Sequence, residues 1–179
     1  MFAVIQLAKL GGFGPIITTA SSRNEALLKS LGATHVLDRT AVPLPSLRDA
    51  VSAVTSKPIK VIYDAVGTRE SFDIAYSILA RGGTLSHVHM IAGVDQEKET
   101  ADGKTTAFVY GSVHLPSQRA LGVQLFKHLS AMLEAGEIKV GSAPSSTMRC
   151  GLTLCDTRRR IMWKSCLVAS RPYLVHSTD

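Results

Sequence analysis

Across residues 1–140, short strand-like runs alternate with segments whose apolar residues recur every three or four positions. The strand-like runs are rich in β-branched residues, and the intervening segments have the spacing of amphipathic helices. This alternation is typical of an α/β domain in which a doubly wound parallel sheet is covered by helices on both faces. Ligands in such domains bind beyond the carboxyl ends of the strands, so the segments that follow the strands are the candidate site.

The pattern predicts the approximate bounds of each element. Helices are expected from the start of the chain to residue 10 and over 23–31, 45–55, 70–79 and about 117–134, and strands at 15–20, 35–38, 59–65, 84–89 and 108–113. Ser22 and Glu25 match a capping box that would open the second helix. The polar stretch 95–106 is expected to be a mobile surface loop.

The composition changes near residue 140. Residues 141–179 hold six Lys or Arg against two Asp, and so carry most of the formal net charge of +6. They also hold all three cysteines and the single tryptophan. We therefore predict one domain over 1–140 and an atypical basic tail, at least partly irregular, over 141–179.

Charge, hydropathy and cysteine spacing exclude several classes. Because the basic residues are concentrated in the tail, and Arg158–Arg160 have no interleaved aromatic residues, no nucleic-acid partner is predicted. No apolar run approaches the roughly 20 residues of a spanning helix, so no membrane association is predicted. We expect the protein to be located in the cytoplasm. The cysteines lack paired spacing, and His87 and His89 have no cysteine or carboxylate partner at a recognisable distance in sequence, so neither a disulfide framework nor a metal site is predicted.

Several blocks, in their order and spacing, carry a family resemblance. They are Ile5–Leu10, Ile16–Ser21, Leu28–Asp38, Tyr63–Gly67, Arg81–Leu85, Phe108–Val113 and Leu133–Lys139. Together they resemble the cofactor domain of the medium-chain dehydrogenase/reductase superfamily, within it the zinc-independent branch that includes quinone oxidoreductases and fungal trans-acting enoyl reductases. The resemblance implies a partial dinucleotide-binding, Rossmann-like domain over 1–140. It also implies an NADPH-dependent oxidoreductase that moves hydride to an activated double bond or a quinone of a small-molecule substrate.

The sequence departs from this family at both ends. Members place a β-rich substrate domain and a glycine-rich phosphate loop ahead of the first helix, and Gly11–Gly14 follows that helix, so it does not replace the loop. We therefore expect a Rossmann-like domain that lacks its first strand and phosphate loop. The tail does not follow the family's closing pattern of a strand, a short helix and a final strand. It is expected to pack poorly, to add little stability and to leave a sheet edge open to self-association.

Two interpretations of function remain open. The first is an NADPH-dependent oxidoreductase. The alternative is a non-catalytic remnant or interaction module that keeps a dinucleotide-like fold. No catalytic residue is named, because the resemblance places most candidates for that role in the family's substrate domain.

The tip of the strand over 15–20 predicts the cofactor. Ser21, Ser22, Arg23 and Asn24 follow it, with no acidic residue among them. An Asp or Glu at such a tip accepts a hydrogen bond from the 2′-hydroxyl of NAD and repels a 2′-phosphate, so the groups present here favour NADP(H). The alternative is that Ser22 only caps a helix and Arg23 is solvated.

Two further strand ends supply candidate cofactor contacts. Asp38 and Arg39 are candidates for contact with the adenine or the 2′-phosphate, or are a plain surface pair. Ala65, Val66 and Gly67 are small enough for the close approach of a ribose, although Gly67 also suits a simple turn.

The resemblance assigns the nicotinamide side of the site. In the resembling enzymes the segments at His89, Met90, Val109 and Tyr110 border the nicotinamide ring. The alternative for each of these residues is a core position, because an aromatic or apolar side chain at a strand end is usually buried.

Overall fold

The computed structural model describes residues 2–91 and 95–139, together with the backbone of 166–169. The helices are α1 (Phe2–Leu10), α2 (Glu25–Leu31), α3 (Leu47–Val54), α4 (Arg69–Ile78), α5 (Gln96–Asp102) and α6 (Pro116–Glu134). The strands are β1 (Ile16–Ala20), β2 (His35–Asp38), β3 (Val61–Asp64), β4 (Thr84–His87), β5 (Thr105–Phe108) and β6 (Cys166–Ala169). Short 3₁₀ turns, Ser22–Asn24 and Leu44–Ser46, lead into α2 and α3.

These strands form one sheet in the order β2-β1-β6-β3-β4-β5. β1 pairs with β2, and β3, β4 and β5 pair in succession, all of them parallel. β6 lies between β1 and β3 and is antiparallel to both. The predicted doubly wound α/β sheet is confirmed for β1 to β5. Within the described residues no strand precedes α1.

Adjacent residues of β1 explain how the sheet is covered on both faces. All five residues of β1 are buried, and successive strand side chains point to opposite faces. Ile16 packs with Ile5 of α1 and Leu28 of α2, whereas Ile17 joins the core that α3 and α4 build around Phe72. A strand covered on both faces favours apolar and β-branched residues throughout, and the run of isoleucines and threonines ending at Ala20 made this strand predictable from sequence.

Cys166–Ala169 form a strand that the sequence analysis did not predict. Its register pairs Val168 with Ile17 on one side and with Ile62 on the other. These four residues form a strand where an irregular chain was expected, whereas the poor packing of the tail stays a prediction. The reason is that the backbone N–H and C=O groups of a buried strand must be paired, and an extended segment far away in sequence can pair them. The remainder of the tail, 140–165 and 170–179, and the predicted domain boundary lie outside the described residues.

The start of α2 also differs from the prediction. Because Ser22–Asn24 form a 3₁₀ turn, Asn24 becomes the N-cap residue of α2, and no side-chain capping bond is made there. The capping box predicted between Ser22 and Glu25 is therefore wrong. The Ser22 hydroxyl instead makes a hydrogen bond to the carboxylate of Asp38.

The stretch expected to be a mobile loop contains α5. The Asp95 side chain caps this helix by accepting hydrogen bonds from the backbone N–H groups of Glu97 and Lys98, at 3.0 and 3.1 Å. Glu99 accepts from the Thr106 hydroxyl, which ties α5 to β5. The strand expected at 108–113 lies earlier, at Thr105–Phe108. Among the helices of the described residues, none is long and apolar enough to cross a membrane.

Candidate functional site

The thirteen predicted cofactor residues lie at or just after the carboxyl ends of β1 to β5. They are Ser21–Asn24 after β1, Asp38 and Arg39 at the end of β2, Ala65–Gly67 after β3, His89 and Met90 after β4, and Val109 and Tyr110 after β5. Because these strands are parallel, all of the residues lie along one side of the sheet, which we call the carboxyl edge. The strand order places the β2 and β1 ends at one extremity, the β3 end in the middle and the β4 and β5 ends at the other.

At one extremity the ends of β1 and β2 are tied together. The backbone N–H of Arg39 donates to the carbonyl of Ala20 at 3.0 Å. The carboxylate of Asp38 accepts from the backbone N–H of Thr40 at 2.9 Å, and this bond is the main cause of the lowered pKa of Asp38. The Ser22 hydroxyl and the positive charge of Arg39 lower that pKa further. The structure therefore brings the β1-tip and β2-tip candidates into one corner.

The charges of this corner are two cations and one carboxylate. Arg23 and Arg39 are both exposed. The ion pairs found among the described residues involve Lys29, Arg69 and Lys98, and neither corner arginine takes part in them. The corner is therefore suited to an anionic group, with Asp38 as the opposing charge.

In the middle of the carboxyl edge, a buried acid shapes the turn after β3. The Asp64 carboxyl group is fully buried. Its Oδ1 atom accepts from the backbone N–H groups of Val66 at 2.8 Å and Gly67 at 3.4 Å, and its Oδ2 atom accepts from the Ser71 hydroxyl at 2.9 Å. Ser71 and Thr68 in turn form a capping box at the start of α4. Asp64 thus fixes the backbone of the predicted ribose segment to the helix behind it.

Gly67 and His89, predicted separately, are in direct contact. Gly67 has φ +71°, a conformation that favours glycine, and a Cβ atom added to it would lie 1.9 Å from Cδ2 of His89. Gly67 is therefore more than a turn residue, because both its backbone conformation and its neighbour exclude a side chain. The contact joins the β3 and β4 ends into one surface.

The neighbouring histidine, His87, is a core residue. It is 3% exposed, and its Nδ1 atom lies 2.8 Å from the carbonyl oxygen of His89. Its ring packs edge-on against Phe72 at 5.4 Å between centroids and contacts Phe108 at 5.9 Å. Across the described residues, no three His, Cys, Asp or Glu side chains are grouped closely enough to hold a metal ion.

At the other extremity the predicted residues are exposed. Met90 is 88% and Tyr110 61% exposed, so the alternative of a core position is wrong for both. The backbone N–H of Val109 donates to the carbonyl of His87 at 2.8 Å. The Gln118 side chain accepts from the backbone N–H of Ser112 at 2.7 Å, which fastens the segment after β5 to α6.

An open cleft lies beside this extremity. It has a volume of about 490 Å³ and runs between the segment after β5 and the first turns of α6. Its lining includes the apolar side chains of Val113, Leu121 and Leu125 and the polar residues Ser112, His114 and Gln118. Gly122 is buried where a Cβ would lie 2.5 Å from the Val113 side chain, so the helix approaches the segment closely at this point.

Sequence reasoning missed Asp64 and Gln118 as members of the site. Asp64 had a signal, since an acid at the end of the apolar run 59–65 must find buried hydrogen-bond donors. Gln118 had none, because its partners at residues 110 and 112 are determined by how α6 folds back onto the segment after β5.

The fold and the row of strand-end residues define a Rossmann-like α/β domain with its candidate site along the carboxyl edge. The family profile described as zinc-binding dehydrogenase matches residues 2–131, and the chain belongs to that family. It is a member of the medium-chain dehydrogenase/reductase superfamily, whose enoyl reductases are oxidoreductases that use NAD(P)H. The resemblance stated from sequence is confirmed.

The chain is similar to curated trans-enoyl reductases of fungi. It is 32% identical over 151 residues to trans-enoyl reductase mpsG of Macrophomina phaseolina, covering 76% of this chain and 41% of that protein. It is 31% identical over 152 residues to trans-enoyl reductase pyiC of Pyricularia grisea, covering 75% and 39%. The chain therefore spans about two fifths of the length of these relatives.

A solved structure shows the same fold. The nucleotide-binding subdomain of the enoylreductase domain of PpsC from Mycobacterium tuberculosis superposes with a TM-score of 0.59 at 23% identity, covering 78% of this chain and 79% of that one. At this level of identity the likeness concerns the fold.

Proposed function

We propose that this chain provides the cofactor-binding part of an NADPH-dependent enoyl or quinone reductase, which moves hydride to an activated double bond or a quinone. The observation that carries the proposal is the order of groups along the carboxyl edge. A cationic corner, a glycine turn fixed by Asp64 and an exposed extremity with Tyr110 follow one another in the order in which an extended dinucleotide presents its 2′-phosphate, ribose and nicotinamide.

The residues fit NADPH better than NADH at the 2′ position. Arg23 and Arg39 supply positive charge, and Ser21 and Asn24 supply neutral polar groups. A guanidinium and a phosphate form charge-assisted hydrogen bonds, whereas NADH offers only a hydroxyl there. Asp38 weakens this preference because its carboxylate repels the same phosphate.

The pyrophosphate position is supported by one element. α1 leads through a short connection into β1 and packs against the same sheet face, so its amino end lies toward the carboxyl edge. The amino end of a helix favours phosphate because its N–H groups are unpaired and its dipole is positive there.

The direction of β6 favours a second candidate function, a non-catalytic module with a dinucleotide-like fold. β6 stands beside β3 in the middle of the carboxyl edge and runs opposite to the other strands. On this interpretation the sheet is kept for its shape or its contacts, and cofactor affinity is weak.

The cleft beside α6 suggests the class of substrate. Its apolar wall of Val113, Leu121 and Leu125 lies next to the extremity assigned to the nicotinamide. An acyl chain of an enoyl substrate is apolar and would gain roughly 25 cal/mol for each Å² that it buries there. We expect the chain to act on small molecules in the cytoplasm, without nucleic acid, and its edge strands to permit self-association.

Calorimetric titration of the chain with NADPH and NADH tests the proposal. Tighter binding of NADPH is expected, and Arg23→Ala should weaken NADPH binding by about tenfold or more, because it removes a charge-assisted hydrogen bond. Arg48→Ala is the matched control, since this exposed arginine lines a cleft with Lys57 and Pro58, which precede the amino end of β3. Equal or tighter NADH binding would refute the NADPH assignment, and the absence of binding to either would favour the non-catalytic module.

A further inference from the structure

The strand between β1 and β3 has an unusual place in the sheet. Ile17 of β1 and Ile62 of β3 both pair with Val168 of β6, and neither pairs with the other. Among the described strands, β6 alone connects the β2-β1 pair to the β3-β4-β5 group. The continuity of the sheet therefore depends on four residues.

The doubly wound fold assigns this central place to its first strand. In the order 3-2-1-4-5-6, the first strand lies between the second and the fourth. α1 is followed here by β1 and β2 on one side and by β3, β4 and β5 on the other, so β1 and β3 take the second and fourth places. β6 consequently occupies the place of the first strand, in the opposite direction.

The pairing of β6 is short. Its register joins three residues of β1, from Ile16 to Thr18, and four residues of β3. Antiparallel strands in a largely parallel sheet are commonly found at its edges, and this one is central. A longer strand in the parallel direction would continue the ladder that β1 forms with β2 and β3 forms with β4.

The position between β1 and β3, which we call the slot, favours an apolar strand but does not determine the direction in which that strand runs. Its walls are the strands that contain Ile16, Ile17 and Ile62, each at most 2% exposed. An entering strand is covered on both faces, so apolar and β-branched side chains suit it best. Its backbone hydrogen bonds are available to a strand of either direction.

We propose that Cys166–Ala169 is a replaceable strand, and that the slot between β1 and β3 accepts in its place an apolar strand running parallel to both. Replacement of β6 by a parallel strand would change which end of the central strand lies at the carboxyl edge. In the register seen here the first residue of β6 lies opposite Asp64. A parallel strand would instead end there and deliver the segment that follows it, such as a glycine-rich turn, beside the amino end of α1. The proposal holds whether or not the chain binds NADPH.

The test uses a labelled synthetic peptide as the entering strand. It has two lysines for solubility, five alternating valines and isoleucines, and a Gly-x-Gly-x-x-Gly turn; a control peptide carries proline at the third strand position, which removes a ladder N–H. Fluorescence anisotropy compares a chain ending at 165 with a chain ending at 169. The shorter chain should bind the first peptide at least tenfold more tightly than the longer chain does, and neither should bind the proline peptide. Equal affinity of the two chains would overturn the proposal.

Hydrogen exchange on the full chain keeps the proposal testable if the shorter chain does not fold. Without peptide, the amides of Ile17, Ile62 and Val168 should be protected together. Excess peptide should increase exchange at residues 167–169 while Ile17 and Ile62 stay protected. Protection at 167–169 that peptide leaves unchanged, or exchange there as fast as in an unfolded chain before peptide is added, would contradict it.

Discussion

The imidazole of His89 lies against the backbone of Gly67, so close that a Cβ atom on Gly67 would be 1.9 Å from its Cδ2 atom and 2.7 Å from its Cβ atom. This contact joins the ends of β3 and β4 in the middle of the carboxyl edge. Gly67 also has a φ of +71°, a backbone conformation that glycine adopts without strain and other residues rarely adopt.

Gly67→Ala is therefore expected to destabilise the protein by about 1–3 kcal/mol from backbone strain alone, with a further contribution from the clash. Denaturant unfolding measures the loss. In a His89→Gly background the clash is removed and the penalty of Gly67→Ala should fall to the strain contribution. Gly111→Ala is the control, because a Cβ there meets no atom within 4 Å and its φ is not positive. Equal stability of Gly67→Ala and Gly111→Ala would show that the contact is not formed.

Asp64→Ala should destabilise the fold by about 1–3 kcal/mol, because it removes a buried hydrogen-bond acceptor. The N–H groups of Val66 and Gly67 and the hydroxyl of Ser71 would lose their partner. Asp64→Asn should have a smaller effect, since its carbonyl replaces one oxygen and its NH₂ group can donate to Ser71.

The control for Asp64 is an exposed aspartate. Asp73 pairs with Arg69 at 2.9 Å on the surface of α4, with its side chain 53% exposed. Asp73→Ala should cost less than about 1 kcal/mol. If urea unfolding gives Asp64→Ala and Asp73→Ala the same stability, the role given to Asp64 is incorrect.

The phenol of Tyr76 is expected to make the unfolding free energy fall at alkaline pH. Burial, followed by the hydrogen bond to Asp102 and the negative charge of Glu99, raises the pKa of Tyr76 to about 12 from an ordinary value of 10. The folded state therefore holds the Tyr76 proton more tightly than the unfolded state does. The resulting contribution to the unfolding free energy is fully present below pH 10 and is lost as the pH rises from 10 through 12. Unfolding free energies over this range should show a decline that is smaller in Tyr76→Phe. An identical decline in both proteins would contradict the assignment.

Asp38→Asn should increase the preference for NADPH over NADH by roughly two- to fivefold, because it removes the carboxylate that opposes the 2′-phosphate at the exposed corner. The neutral side chain can still accept from Thr40 and Ser22, so the corner should keep its shape. Asp49→Asn, on the exposed face of α3, is the control and should leave the ratio of the two dissociation constants unchanged. A ratio that falls in Asp38→Asn would mean that Asp38 does not face the phosphate.

The sequence predicted those helices and strands whose residue types and spacing are themselves typical of the element. The β-branched run of Ile16–Ala20 and the four-residue spacing of leucines in α6 both identify their elements. α5 was missed because all of its residues except Ala101 are polar, and the Asp95 cap that begins it was not weighed. β6 was missed because its partners, Ile17 and Ile62, are more than a hundred residues away and leave no mark on its sequence.

The candidate site shows the same division. The strand-end positions followed from the parallel sheet, so the carboxyl-edge residues could be proposed in advance. The contact between Gly67 and His89 and the bond between Ser22 and Asp38 depend on how adjacent strands pack. Those contacts are tertiary and could not be read from spacing.

The central claim is that the carboxyl edge holds NADPH, and amide chemical-shift mapping during an NADPH titration tests it most directly. The largest changes are expected at Ser21–Asn24, Arg39 and Ala65–Gly67, with smaller changes at His89 and Tyr110, and none around Lys60 and Arg81 at the opposite edge of the sheet. Changes centred on Lys60 and Arg81, or none at the β1 and β3 ends at saturating NADPH, would contradict the account.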